Sequence, residues 1–334
     1  MTRYFLTLSL LVCLCFSASA QDPIYSQFYA APIQLNPAFA GNTVGPHISI
    51  NYRNQWPSLQ GSYVTYSAAY SQFFPQVNTG FGLMLLSDDA GEGLLKTNKV
   101  SGVFSYKLQV NRDWALKFGA EGSLVQARLD WDRLVFLDQI DAEIGPISPG
   151  GMPFPTEEVR PDNLNNTYVD ISAGLLAYSS NFYGGVTIKH LNTPSESFLG
   201  VNPNLDEGLP MRLTLQAGME IPLTFGNNWR TNSFISPSVM FVKQGDFGQL
   251  NAGSLVKAGF IFGGLWYRHT LTNGDAVIFV AGVEQGSFKI GYSYDMTISG
   301  LGLNRSGGSH EISLIINLER PNEVDYNDCL NLFR

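Results

Sequence analysis

Cysteine is nearly absent from this 334-residue chain: there are three, and two of them, Cys13 and Cys15, fall in a leader-like opening stretch. Only Cys329 remains beyond it, which excludes an internal disulfide framework as the source of stability. Charged side chains are also scarce, at 14% of residues, and they lean acidic. Without Arg3, the leader's one basic residue, 19 basic side chains face 28 acidic ones, a formal charge of −9 that offers no electrostatic footprint for nucleic acid. Beyond the leader no apolar run reaches the roughly 18 residues that a membrane-spanning helix needs. The histidines, at 47, 190, 269 and 310, have neither His-x3-His nor Cys-paired spacing, so no metal site is expected. Ser309 and His310 are adjacent on a strand-like segment and point to opposite faces, so they cannot pair as nucleophile and base. No catalytic group and no cofactor is therefore expected.

The opening stretch itself is informative. Arg3, the apolar run from Leu6 to Phe16 and Ala18-Ser19-Ala20 read as a signal peptide over 1–20, with Gln21 the first mature residue. Beyond it the dominant pattern is alternation. From 288 to 295, Phe288, Ile290, Tyr292 and Tyr294 interleave with Lys289, Gly291, Ser293 and Asp295. The same period of two predicts strands over 47–53, 63–71, 80–88, 99–110, 114–127, 168–179 and 182–189 in the first half of the chain. In the second half it predicts 212–221, 233–243, 250–262, 265–271, 276–284, 288–295 and 310–318. Fourteen such segments behind a secretory leader predict an all-β fold over 47–319, a closed antiparallel up-and-down transmembrane β-barrel, in which every backbone group finds a neighbour and no sheet edge is left open. A soluble β-sandwich shares the alternation, but it does not explain aromatics and aliphatics on the same face, with aromatics at 13% of residues.

An even strand number puts both barrel ends on the periplasmic side, so connections should alternate between short inner turns and long outer loops. Tight turns are expected at 111–113, 180–181, 263–264 and 286–287, and outward loops at 131–167, 190–211 and 296–309. Two connections break the rule: 222–232 is long where a turn is expected, and 244–249 is short where a loop is expected. The alternation points Lys107, Lys117, Glu121, Asp170, Arg212, Gln216, Glu220, Lys257, Arg268, Glu284, Lys289, Asp295 and Glu311 into the lumen. Interleaved signs favour ion pairs with water, or closure by chain segments, over an ion-selective pore. Tyr66, Tyr70, Tyr106, Trp114, Tyr267, Tyr292 and Tyr294 are expected at the lipid interfaces. Asp88-Asp89-Ala90-Gly91-Glu92 lacks the full spaced oxygen set of a calcium loop.

Two segments carry a family resemblance: Asp22-Pro23-Ile24-Tyr25-Ser26-Gln27-Phe28-Tyr29 running on to Leu35-Asn36-Pro37-Ala38-Phe39-Ala40-Gly41, and Tyr52-Arg53-Asn54-Gln55-Trp56-Pro57. They resemble the N-terminal signature of the PorP/SprF family, and weaker likeness continues through 62–67, 135–141, 265–268 and 310–314. The resemblance implies an outer-membrane barrel of a diderm bacterium associated with the type IX secretion system. It also implies a non-enzymatic role in secretion or surface attachment, with a secreted adhesin or other cargo, and periplasmic ring components, as partners besides outer-membrane lipid. Core secretion component and dedicated adhesin partner both remain open. A diffusion channel or nutrient transporter is the alternative, since the same fold supports it.

Residues 21–46, with Pro23, Pro32, Pro37 and Pro46, are expected to form neither helix nor central strand, and to pack in or under the barrel mouth. The polar tail 320–334, with Pro321, is expected to hang in the periplasm. Trp131, Phe136, Phe154 and Phe198 in the outward loops are expected to be exposed anchors for a partner, or a lid over the lumen.

Overall fold

The computed structural model describes residues 22–59, 61–141, 143, 145, 152, 154–198, 208–223, 233–319 and 328–334. The leader and its cleavage site, most of the 222–232 connection and residues 320–327 lie outside them. The strands are β1 His47–Gln55, β2 Tyr63–Phe74, β3 Thr79–Ala90, β4 Leu95–Gln109, β5 Ala115–Leu129, β6 Asn165–Tyr178, β7 Phe182–Lys189 and β8 Arg212–Met219. They continue as β9 Ile221–Pro222, β10 Phe234–Gln244, β11 Phe247–Ala258, β12 Ile261–Thr270, β13 Gly274–Gln285, β14 Phe288–Thr297 and β15 Ser309–Asn317. The two-residue β9 continues β8 past Glu220, so the chain crosses fourteen times. Every pairing is antiparallel between chain neighbours, and the sheet closes where β1 meets β15, in register from His47↔Asn317 to Gln55↔Ser309.

Alternation decides which side chains face out. Along β14, Phe288, Ile290 and Tyr292 are 54%, 49% and 44% exposed, whereas Lys289, Ser293 and Asp295 are buried. The outer wall is apolar all round: Phe81, Leu83, Leu85, Phe104, Phe118, Leu124, Ile171, Leu215, Leu265, Phe279 and Ile312 are exposed. Tyr66, Tyr70, Tyr106, Trp114, Tyr267 and Tyr292 lie exposed among them, with Tyr294 half-exposed. In water such a surface would drive aggregation; in hydrocarbon it is the solvated face.

One turn is corrected. The expected 263–264 turn lies inside β12, and the chain reverses instead at Gly259 and Phe260, where Gly259 takes φ +64°. Gly264 is small for a different reason: the indole of Trp266 fills the space that a Cβ on Gly264, or on Gly253 of β11, would take. The short 244–249 connection is a true hairpin, with only residues 245 and 246 between β10 and β11.

The lumen is filled by the chain's own ends. Residues 22–46 run its full length, from Asp22 beside His190 and Arg212 at the long-loop end to Val44 and Gly45, whose amides reach Glu319, at the short-turn end. The expectation that this segment forms no helix is corrected, because Pro32–Leu35 is one α-helical turn flanked by 3-10 turns at Phe28–Ala30 and Pro37–Phe39. Pro32 and Pro37 sit in the first turn, where a missing N–H costs nothing. Asn36 caps the second turn by accepting from Ala38 N at 2.9 Å.

The free tail is likewise corrected for its last seven residues. Cys329, Leu330, Leu332 and Phe333 are fully buried, and the Phe333 ring stacks on Phe39 at 4.3 Å. Apolar side chains in 328–334 explain the re-entry, since the lumen around Phe39, Tyr183 and Leu176 gives them a dry place to go. Fully burying each large apolar side chain contributes about 1.5–3 kcal/mol, against about 0.5–1.5 kcal/mol net for a hydrogen bond. Packing of Phe28, Tyr29, Leu35 and Phe39 on Trp266, Met240, Ile278 and Ile315 is therefore the larger share of what keeps the plug inside.

Two wall glycines make the fit. A Cβ on Gly119 would overlap the backbone of Pro37 and Ala38, and one on Gly174 would overlap the Asn36 side chain. Gly119→Leu should displace the plug while leaving β5 paired: planar-bilayer recordings are expected to show conductance in the variant and none in the parent. Equal conductance in both would contradict the packing.

Candidate functional site: a lumen closed by both chain ends

Three polar anchors fix the plug at successive depths. The deepest in charge is built around Ser26. Its hydroxyl donates to Asp295 Oδ2 at 2.6 Å and accepts from Arg53 Nη1 and Arg268 Nη1, each at 3.0 Å, so its one donor and two acceptor positions are all used. Arg53 and Arg268 also reach Asp295 Oδ2, at 3.2 and 2.8 Å, and Arg53 pairs with Glu311. The Glu311 carboxylate in turn accepts the backbone N–H of Ser26 at 2.7 Å and of Gln27 at 2.8 Å. Strands β1, β12, β14 and β15 thus converge on two consecutive plug residues.

Nearer the long-loop end, Asp22 meets Arg212 Nη1 at 2.9 Å and His190 Nε2 at 2.7 Å. His190 Nδ1 faces Asp170 at 3.0 Å, and Asp170 continues to Lys99 and Glu121, which also takes Lys189. Burial works against charge on Asp22, but the Arg212 guanidinium and His190 hold its carboxyl well below the usual range. Burial also disfavours the imidazolium of His190, yet carboxylates on both ring nitrogens, Asp170 and Asp22, raise its pKa above the ordinary value. Toward the short-turn end, Lys117 Nζ donates to Ala40 O at 2.7 Å and Gly41 O at 3.1 Å, and Asn36 Nδ2 to Leu175 O at 3.1 Å. Lys289 Nζ holds the C-terminal segment through Leu332 O at 3.0 Å, and Glu220 accepts from Asn331 at 2.7 Å.

All the charged side chains that alternation points inward, and Gln216 with them, lie on the lumen side. Lys117, Glu121, Asp170, Arg212, Gln216, Glu220, Lys257, Arg268, Lys289, Asp295 and Glu311 are buried, and Lys107 and Glu284 half-buried, with Lys257 paired to Glu284. The two signature segments come together as plug and anchor. Asn36, Pro37, Ala38 and Gly41 belong to the first. In the second, Arg53 is the hub, Gln55 accepts from it at 2.9 Å, and Tyr52 faces outward against Tyr66. Asn54 and Trp56 end that strand, where Trp56 takes φ +57° and packs edge-on to Tyr63.

The loop aromatics do not stand free. Trp131 and Phe136 pack on each other at 4.9 Å, and these two, Phe154 and Phe198 are all half-buried. Among the described residues of the 130–164 loop, the most exposed apolar side chains are aliphatic or thioether: Leu137 at 90%, Val159 at 78% and Met152 at 70%. Alternation also missed the lumen's apolar lining, including Trp266, Met84, Met240 and Ile278; their inward side chains break the polar-inside rule, which was the available signal. Two cavities remain at the mouths, of ≈ 570 Å³ at the long-loop end and ≈ 500 Å³ at the short-turn end.

An apolar outer wall around a closed sheet, plugged by its own ends, defines a transmembrane β-barrel of the outer-membrane class. The sequence pattern described as "Type IX secretion system membrane protein PorP/SprF" matches residues 17–316, and the chain belongs to that family. No curated protein sequence matches it. Among solved structures it is similar to the toluene transporter TbuX of Ralstonia pickettii, at 11% identity and TM-score 0.49, covering 87% of this chain and 94% of that one. It is also similar to a Pseudomonas aeruginosa FadL homologue, at 12% identity and TM-score 0.43, covering 85% and 93%. A third is Omp33 of Acinetobacter baumannii, at 10% identity and TM-score 0.41, covering 82% and 99%.

Arg53→Met leaves the buried Asp295 and Glu311 short of a cation, a loss of about 3–5 kcal/mol. Thermal unfolding of the purified barrel should move down accordingly, and an unchanged midpoint would remove Arg53 from its central place. The plug tip should respond to pH through two groups of opposite sign. His190 contributes fully below its unfolded value of 6.5 and ceases to hold as pH rises through its raised folded value. Asp22 contributes above its unfolded value of 3.8 and lets go only as pH falls through its depressed one. Thiol labelling of a Pro23→Cys variant should therefore stay low between those unfolded values and rise on the alkaline side, and adding His190→Gln should flatten that rise.

Proposed function

We propose that this barrel works as a sealed attachment unit of the type IX pathway, supporting secretion or surface retention of secreted proteins without conducting solutes itself. The observation that carries the reading is the filling of the lumen: residues 22–46 and 328–334 occupy it, and anchors at three depths hold the first of these segments. A diffusion path would have to displace packed aromatic side chains and several buried ion pairs. Family membership supports the pathway, and a closed interior supports a role carried by the surfaces at the two mouths.

Outside, the surface best suited to a secreted partner is the 130–164 loop. Its exposed Leu137, Met152 and Val159 are apolar, and the same loop exposes Asp132, Asp138, Glu157 and Glu158 with Arg133 and Arg160, so it offers apolar contact and a charged surround. Buried apolar contact with a polar rim is the usual anatomy of a specific interface. On this reading the aromatics Trp131 and Phe136 stiffen the loop from beneath, and the aliphatic side chains make contact.

Liposomes carrying the purified protein should not swell in small sugars, while secreted cargo co-purifies with it from cells. Leu137→Asp combined with Val159→Asp should reduce that co-purification at least tenfold with the barrel still folded. Sugar flux through the unmodified protein would favour the channel instead.

A further inference from the structure

The short-turn mouth holds two lysines side by side, of which the plug engages only one. Lys107 of β4 and Lys117 of β5 are direct cross-strand partners on the lumen side. Like charges placed directly opposite on a sheet repel, and among the described residues neither lysine has a carboxylate within ion-pair distance. Lys117 has only neutral acceptors, the Ala40 and Gly41 carbonyls and Asn42 Oδ1. Among the described residues the Lys107 ammonium makes no hydrogen bond, but it rests 6.0 Å from the Phe73 ring centroid and 5.9 Å from that of Tyr178. Lys117 Nζ lies 6.0 Å from the same Phe73 ring.

Both lysines line the ≈ 500 Å³ cavity, with Arg112 and Asp113 at its exposed rim. Arg334 is engaged by Asp328 at 2.7 Å and by Asn42 O at 3.0 Å, so among the described residues the local excess of positive charge stays on Lys107 and on Arg112 at the rim. A partly dehydrated cation that lacks a counter-charge is costly; Lys117 spends its three donors on plug oxygens, whereas among the described residues the half-buried Lys107 keeps its own for an anion.

We propose that this mouth receives an acidic peptide segment of a periplasmic partner, one carboxylate of which pairs with Lys107. The cavity lies inside the ring of strands, whereas lipid meets the opposite face of the wall, which disfavours a lipid headgroup. Its apolar lining, Phe73, Pro75, Tyr178 and Leu330, suits the side chains of a peptide better than a bare inorganic anion. The site is independent of the outward loop, so neither proposal falls with the other.

The test uses the full-length protein in detergent and a dye-labelled polyglutamate peptide, with polyglutamine and inorganic phosphate alongside. Polyglutamate should bind saturably and more weakly as salt rises. Lys107→Gln should weaken binding at least tenfold, and Lys107→Arg, which keeps the charge, should restore it; a merely misfolded variant would not give that pair of results. The Leu137→Asp, Val159→Asp double variant should bind as the parent does. Equal binding of polyglutamine, binding unchanged in Lys107→Gln, or binding of phosphate without the peptide would overturn the proposal.

Discussion

The arrangement depends on one buried constraint: two guanidinium groups and two carboxylates, contributed by four different strands, meet around the hydroxyl of Ser26. Each of these charges would be expensive alone in a dry lumen. Together, with Ser26 and the amides of Ser26 and Gln27, the Glu311 carboxylate and Asp295 Oδ2 gain their full set of donors only when the plug is present, while Asp295 Oδ1 stays unbonded among the described residues. The wall and the plug therefore specify each other. Without the serine segment the arginines keep their acids but lose a shared acceptor, and Glu311 loses two donors.

Around that node the rest follows from filling space. A fourteen-crossing barrel encloses more room than its own inward side chains occupy. Here the room is taken by Phe28, Tyr29, Leu35 and Phe39 from one end of the chain and Leu332 and Phe333 from the other, against an apolar band that includes Trp266, Leu176 and Ile315. Glycines at 119 and 174 let the Asn36-Pro37-Ala38 turn lie directly on the wall. The interior is thus a protein core in a shell whose outside faces lipid, with solvent confined to the mouths and to polar pockets.

Much of this was legible in the sequence because a period of two is hard to disguise. Lys289, Asp295 and Glu311 had to face opposite to Ile290, Tyr294 and Ile312, and they do. The barrel and its lumen charges followed from that alone. The turn at Gly259 was misplaced because the pair Gly263-Gly264 looks like a hairpin, and only the position of Trp266 across the strands shows why a small residue is needed at 264. The re-entry of residues 328–334 was hidden because a short segment with Leu330, Leu332 and Phe333 carries no period, and its polar neighbours dominate a composition-based reading. The loop aromatics show a related limit: side-chain type says that a ring wants cover, but not whether a partner or the loop itself supplies it. Where the signature residues converge could not be read at all, since Ser26 and Arg53 meet Asp295 and Glu311 across more than two hundred positions.

Hydrogen–deuterium exchange of the purified barrel, followed residue by residue over 26–40, tests the mutual dependence of plug and wall most directly. Amides of Ser26 and Gln27, which Glu311 accepts, and of Ala38, which Asn36 caps, should exchange as slowly as those of β14 and β15. Exchange of the whole segment within seconds, at the rate of an unstructured leader, would contradict the account.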